Sequence, residues 1–217
     1  MTLEELKTSG KLIECEQGSE EWFQARLGMV TASKFAMATS KARSKDPKAV
    51  SKVRFSYMCA LLAERTTGNL VDTFQSKTMD WGVDSEMQAL TAYHLETGNS
   101  VDRVGFVKYD DSTGASPDGL VGDDGMVQFK CPDSHTHIAY LLNRELPSVY
   151  KKQVHGEMWV CGRQWSDFVS YDPRQPYKDI MIVRVQRDEK IIKELVDGLT
   201  LFVQELLKQE KFIKNGV

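Results

Sequence analysis

At 217 residues and 41% hydrophobic content, the chain is long enough to enclose a core, and its composition excludes disorder and low complexity. No apolar run approaches the roughly 20 residues of a membrane span, and no segment repeats. The formal net charge is −3, so total charge does not announce a nucleic-acid binder, and any basic surface must be a local patch.

The first residues, Met1-Thr2-Leu3-Glu4-Glu5-Leu6, are acidic and amphipathic, unlike a signal peptide, which implies a soluble protein of the cytoplasm. Ser19 is a fitting N-cap for a helix with Trp22, Phe23 and Leu27 as its apolar stripe; Arg26 lies on it and Gly28 ends it. In Val30-Thr31-Ala32-Ser33, Thr31 or Ser33 can cap a second helix beginning at Lys34. Free amides and a hydroxyl at such a start make an anion site that Arg26 could complete; the plainer alternative is an ordinary cap.

Lys41, Arg43, Lys45, Lys48, Lys52 and Arg54 then place six cations in fourteen residues, opposed by Asp46 alone. Taken by itself, that is a solvated loop and helix start. Val50 to Thr67 reads as a helix with Val53, Met58, Leu61 and Leu62 facing a core, stopped by Gly68. From Ser76 to Thr97 the period is again helical, through Met79, Trp81, Met87, Leu90, Ala92, Tyr93 and Leu95, with Glu86 inside it.

Val101 to Tyr109 reads as a strand. Two short strands follow, Ala115 to Gly119 and Val127 to Pro132, joined by a turn at Asp123-Asp124-Gly125, since Asp-Gly tolerates positive φ. Alternation puts Met126, Gln128 and Lys130 on one face and Val127 and Phe129 on the other. Pairing would bring Asp118 beside Gln128 and Lys130, crowding an acid, a carboxamide and an ammonium into one patch. With Glu at 128 the pattern would be that of the PD-(D/E)xK nucleases. Phosphodiester hydrolysis needs hard oxygen ligands for Mg²⁺ and a cation to hold the attacking water, which two carboxylates and a lysine supply.

Two helices follow, near Ser134 to Arg144 and Pro147 to Cys161, the second carrying Tyr150, Gln153, Val154, Met158 and Trp159. Phe168 to Tyr171 and Ile180 to Val185 read as strands, and Glu189 to Lys214 as one amphipathic helix with Ile191, Ile192, Leu195, Leu199, Phe202, Leu206 and Leu207 on its apolar face. The expected class is α/β or α+β, a mixed central sheet flanked by helices. Cys15, Cys59, Cys131 and Cys161 have no paired spacing, which argues for reduced thiols over disulfides, zinc or an iron–sulfur cluster. His135 and His137, two apart, are poorly spaced to share a metal on a helix.

Several blocks together resemble the lambda-type (YqaJ-like) viral recombinase exonucleases. They are Gln17-Gly18 with Trp22 and Arg26-Leu27-Gly28, Thr31-Ala32-Ser33, Trp81-Gly82 with Glu86, Ser116-Pro117-Asp118-Gly119, Phe129-Lys130-Cys131-Pro132, Gln153-Val154 with Met158-Trp159, Tyr171-Asp172-Pro173-Arg174, and Arg187-Asp188-Glu189. The resemblance runs from about Gln17 to Glu189 and implies a restriction-endonuclease-like PD-(D/E)xK core, and residues 1–217 read as one exonuclease domain. It also implies a Mg²⁺-dependent enzyme, Mn²⁺ substituting, that degrades the 5′ strand of duplex DNA and leaves a 3′ single strand. It further implies a homotrimeric ring and a single-strand annealing protein as partner in phage-type recombination inside a bacterial host.

Matched residue by residue, Asp118 is the first metal-binding carboxylate, Lys130 the catalytic lysine, the Phe129 carbonyl a further ligand, and Glu86 the helix-borne acid beside the metals. Arg26, Ser33, Ser116 and Gln153 match the pocket for the 5′-phosphate, where an arginine with hydroxyl donors suits a terminal phosphate. Lys41, Arg43 and Lys45 become a DNA-tracking arm, and Met79 an apolar wedge near the duplex fork, with a buried core methionine as its plain alternative.

Position 128 departs from the family, which has Glu there. Gln keeps the shape and loses the charge, so the resemblance implies a chain that binds DNA but is impaired in cleavage. The conservative shape and otherwise complete site suit a deliberate substitution better than a degenerate paralogue. A non-catalytic clamp for DNA ends on the same fold is the alternative.

Overall fold

A computed structural model describes residues 1–42, 51–71 and 77–216, with the side chains of residues 77–84 excepted. The chain opens with α1 (Leu3–Thr8), where Thr2 and Glu5 cap each other reciprocally. Next come β1 (Leu12–Ile13), α2 (Glu20–Arg26), β2 (Val30–Thr31), a 3₁₀ turn (Ala32–Lys34) and α3 (Phe35–Ala38). Ser19 caps α2 by accepting from the Trp22 amide, as its sequence position suggests. The helix expected from Lys34 is shorter than the pattern implies. Neither Thr31 nor Lys34 makes a side-chain cap, and the Thr31 hydroxyl instead meets that of Ser33 at 3.3 Å.

Two long helices follow, α4 (Lys52–Thr67) and α5 (Lys77–Thr97). Ser51 caps α4, and Gly68, with φ +71°, ends it. On α5 the buried residues Ser85, Ala89 and Tyr93 recur every four positions, which turns Met87 and Leu95 out to solvent. Val53, in the first turn of α4, is exposed as well.

Strands β3 (Phe106–Lys108), β4 (Thr113–Ala115), β5 (Gly119–Val121) and β6 (Gly125–Lys130) come next, then α6 (Ser134–Asn143), a 3₁₀ turn (Ser148–Tyr150) and α7 (Lys151–Cys161). The chain continues through β7 (Trp165–Tyr171), β8 (Ile180–Gln186) and α8 (Glu189–Lys214).

The mixed sheet is divided in two. One sheet runs β1-β3-β4-β2, parallel only between β2 and β4; the other runs β5-β6-β7-β8, parallel only between β6 and β7. A parallel pair needs a long crossover, and α6 with α7 provides it. The reciprocal 2.9 Å bonds between Asp102 and Leu120 join the second sheet to the segment leading into β3.

The hairpin of β5 and β6 begins later than expected, at Gly119, so Asp118 stands just ahead of its strand. Its turn also shifts. The left-handed residue is Gly122, φ +53°, and Gly125 already belongs to β6. Glycine at 125 serves packing instead, because a Cβ there would fall 2.0 Å from the Trp165 ring.

Side-chain alternation on β6 is as expected. Met126 joins the larger core with Leu120, Val154, Met158 and Leu195. Val127 and Phe129 join the smaller one with Ala89, Tyr93 and Val169, where Tyr93 meets Phe129 edge-on at 5.9 Å. Strand β6 therefore has α7 on one side and α5 on the other, and its polar residues face α7.

Helix α8 closes the larger core with Leu195, Leu199, Phe202 and Leu206, Ile192 being buried as well, while Leu207 falls off the stripe and is exposed. The fully buried Phe202 ring stacks on Tyr57 at 5.7 Å, and the Arg54 guanidinium lies 5.1 Å from its centre. Truncating Phe202→Ala removes both contacts and leaves a cavity. We expect it to cost about 3–5 kcal/mol of unfolding free energy in urea titrations.

Candidate active site

The hairpin brings together what its sequence promised. The Gln128 side-chain amide and the Phe129 backbone N–H both donate to the same oxygen of Asp118, the latter at 2.6 Å. Asp118 can reach them because it sits at the mouth of the hairpin, where Gly119 pairs with Val127. Burial pushes the Asp118 carboxyl up to about 6, partly offset by the nearby Lys130 ammonium, with Glu86 adding repulsion. Lys130 lies 5.5 Å from the centre of the Tyr150 ring.

Gln128 is only 2% exposed and is held from the other side as well. Gln153, on α7, donates at 3.1 Å to the Gln128 carbonyl oxygen and at 2.9 Å to Glu157 one turn further along. Asp118, Gln128, Gln153 and Glu157 thus form one chain of hydrogen bonds, with a carboxyl at each end and two carboxamides between.

A cleft of about 170 Å³ opens over this chain, lined also by Gln17, Trp22, Arg26, Ser33, Ser116 and Lys130. Its second wall is a cup built around Arg26. The Ser116 hydroxyl oxygen accepts from both Arg26 Nη1 and Trp22 Nε1, each at 2.9 Å. The Arg26 guanidinium lies 3.9 Å from the centre of the Trp22 ring, and Phe106 is behind it. No ion pair engages Arg26 among the described residues. Burial pulls its pKa down to about 10, partly offset by Tyr57, Glu157 and Glu64 nearby. Gln17 fixes the loop carrying the cup by donating to the carbonyls of Val104 and Pro117.

The other predicted positions are placed unevenly. Glu86, on α5, acts electrostatically on Asp118, yet its carboxylate is taken by Arg103 at 2.9 Å. Lys41 is exposed beside Lys152, which donates to Thr39. Arg43, Lys45 and the Met79 side chain lie outside the described residues. Sequence reasoning passed over Trp22 and Gln17 as site residues and missed Glu157 altogether. The signal for Glu157 was present, since it stands four residues after Gln153 on one helix and so shares its face.

No group of three His, Cys, Asp or Glu that could hold a metal is found among the described residues. The oxygen donors lining the cleft at the hairpin are mixed: the Asp118 carboxyl and the Gln128 carboxamide. The second oxygen of the buried Glu157 has no hydrogen-bond partner. Hard oxygens, two desolvated carboxyls and an orphaned acceptor suit a divalent cation such as Mg²⁺ or Mn²⁺.

Residues 21–164 match the YqaJ-like viral recombinase domain. The chain belongs to that family. It is similar to the alkaline exonuclease LHK-Exo of Laribacter hongkongensis, at 38% identity and a TM-score of 0.82, over 91% of this chain and 97% of that one. The same figures hold for LHK-Exo in complex with dAMP. A phage-related exonuclease from Haemophilus somnus 129PT shares the fold, with a TM-score of 0.64 and 18% identity over 83% of this chain and 96% of that one. No curated protein sequence matches. The mixed α+β architecture is accordingly that of the PD-(D/E)xK-type exonucleases, enzymes that as a class use divalent metal. Among the described residues no helix is long and apolar enough to cross a membrane.

Glu157 makes the metal-free protein sensitive to pH. Burial first, and then Asp118, push its carboxyl up to about 8 from an unfolded value of 4.5. The native state therefore keeps a proton that the unfolded chain gives up. Stability is highest below about pH 4.5 as far as this group is concerned, and falls as pH rises towards 8. Without divalent metal, Glu157→Gln should flatten the stability–pH curve between about pH 5 and 8, measured by urea unfolding. The slope removed should approach about 1.4 kcal/mol per pH unit.

Proposed function

We propose that this chain is a 5′→3′ exonuclease acting on double-stranded DNA ends, with Mg²⁺ as cofactor and Mn²⁺ able to substitute. Residues 1–217 form its single exonuclease domain. The observation that carries this reading is one cleft holding both the Asp118–Gln128–Lys130 patch and the Arg26–Ser116 cup. Scissile-bond chemistry and recognition of a chain terminus belong side by side in an enzyme that removes end nucleotides. A relative solved with dAMP supports a cleft that accepts a nucleotide.

In this reading Arg26 and Ser116, with Ser33 and Gln153 at the edge, hold the terminal 5′-phosphate. A half-buried guanidinium stacked on Trp22 is already partly desolvated and oriented, so little ordering cost remains when the phosphate arrives. Asp118, the Gln128 carboxamide and the Phe129 carbonyl would hold the cation, with Glu86 nearby. When bound, the cation lowers the pKa of water and offsets charge on the phosphoryl oxygens. Lys130, as an ammonium, holds and orients the attacking water by donating to it and offsets charge on the phosphoryl group. Lys41, Arg43 and Lys45 track the backbone electrostatically, and Met79 wedges at the fork. A homotrimeric ring around the duplex and a single-strand annealing protein as partner complete the phage-type recombination role in a bacterial cytoplasm.

Gln128 limits this activity. A neutral amide gives the site one anionic ligand fewer, and its N–H₂ occupies the Asp118 oxygen a cation would need. Gln128→Glu should raise Mg²⁺-dependent nucleotide release from a 5′-phosphorylated duplex about a hundredfold or more. Covalently closed circular DNA should stay intact. No release from the Gln128→Glu protein on any linear duplex would favour a non-catalytic clamp for DNA ends.

The cup has its own test. Arg26→Ala in the Gln128→Glu background should abolish the preference for 5′-phosphate over 5′-hydroxyl ends, costing about tenfold to a hundredfold on the former. Equal losses on both ends would place the terminal phosphate elsewhere.

A further inference from the structure

Among the described residues, Glu157 Oε2 is the one buried carboxylate oxygen without a hydrogen-bond partner. Other buried acids are satisfied. Asp167 accepts from Tyr93 and twice from Arg184, and Asp172 from Arg174 and Gln175. Glu157 is 1% exposed, on the face of α7 that turns towards β6, and it lines the same cleft as Asp118. A carboxyl left half-satisfied in a polar cleft is a costly arrangement for a group whose only task is packing.

Its placement is defined by Gln153. One side-chain nitrogen of that residue donates to both Glu157 and Gln128, so the Glu157 carboxyl lies within the span of a single amide from the Gln128 oxygen. Gln128 in turn touches Asp118. Mutual repulsion between Asp118 and Glu157 is felt through this short path. Position 128 is where the family pattern calls for an acid, and here the acid stands on the facing helix.

We propose that Glu157 is the second acidic group for the divalent cation of the Asp118 site, replacing from α7 the carboxylate that β6 lacks at position 128. The proposal rests on the metal-dependent nuclease reading and extends it to a residue outside the hairpin. It concerns holding the ion. A carboxylate on a helix does not reproduce the orientation of one on the strand, so turnover remains limited by Gln128.

Mn²⁺ binding to the full chain, followed by the electron paramagnetic resonance signal of free Mn²⁺, tests this without requiring cleavage. Glu157→Gln, an isosteric change, should weaken Mn²⁺ binding tenfold or more. Adding Gln128→Glu to that variant should bring it back, because one carboxylate again accompanies Asp118. Circular dichroism of each variant reports the fold.

Affinity of Glu157→Gln within twofold of the unaltered chain overturns the proposal. So does lost Mn²⁺ binding accompanied by a lost folded spectrum, which would make Glu157 structural. If either result comes with Mg²⁺-dependent DNA cleavage by the Gln128→Glu protein, the nuclease reading stands and only the role of Glu157 falls. If neither the unaltered chain nor Gln128→Glu binds Mn²⁺, both fall together.

Discussion

The cleft is organised around a single oxygen of Asp118. Asp118 is held at the mouth of the β5–β6 hairpin by the amide of Phe129 and the carboxamide of Gln128. That grip sets where the acid stands relative to Lys130 and ties the loop carrying Ser116 to the strand beneath it. A slip of one residue in the hairpin would turn Gln128 and Lys130 towards α5 and drive Val127 and Phe129 into the cleft. Two separate cores prevent this, since Met126 belongs to one and Val127 and Phe129 to the other. Burial of apolar side chains on both faces of β6 is thus what positions its polar ones.

The second wall of the cleft solves a different problem. A guanidinium loses hydration when buried, and an arginine without an acidic partner ordinarily stays at the surface. Arg26 is kept in place by the Trp22 face and the Ser116 hydroxyl, neither of which neutralises it. Ser116 spends its lone pairs on two donors, leaving its O–H proton to turn towards a ligand. The Arg26 guanidinium and the Asp118 and Glu157 carboxyls then face one cleft from different walls.

Gln128 and Glu157 stand on facing elements, so only one of them is legible along the hairpin. The hairpin motif is read along a strand, so a neutral residue at 128 looks like a loss. In three dimensions β6 faces α7, and an acid one turn beyond Gln153 enters the same network from the opposite side. The exposures of Met87, Leu95 and Leu207 show the converse case. Apolar residues at nearly helical spacing fall outside the stripe when the neighbouring element covers only one narrow face.

Much was determined by the sequence alone. Period and caps placed α2, α4, α5, α7 and α8 within a few residues, because helix ends depend on local groups such as Ser19 and Gly68. Strand alternation assigned the faces of β6, and the spacing of Asp118, Gln128 and Lys130 marked the patch. Tertiary structure alone decided how the sheet divides, which glycine makes the hairpin turn, that Arg103 claims Glu86, and that Trp22 and Glu157 join the cleft. These outcomes come from contacts between residues far apart in the chain, some ninety positions apart for Trp22 and Ser116. No local pattern encodes such contacts. They exist only once the hydrophobic cores have brought the elements together.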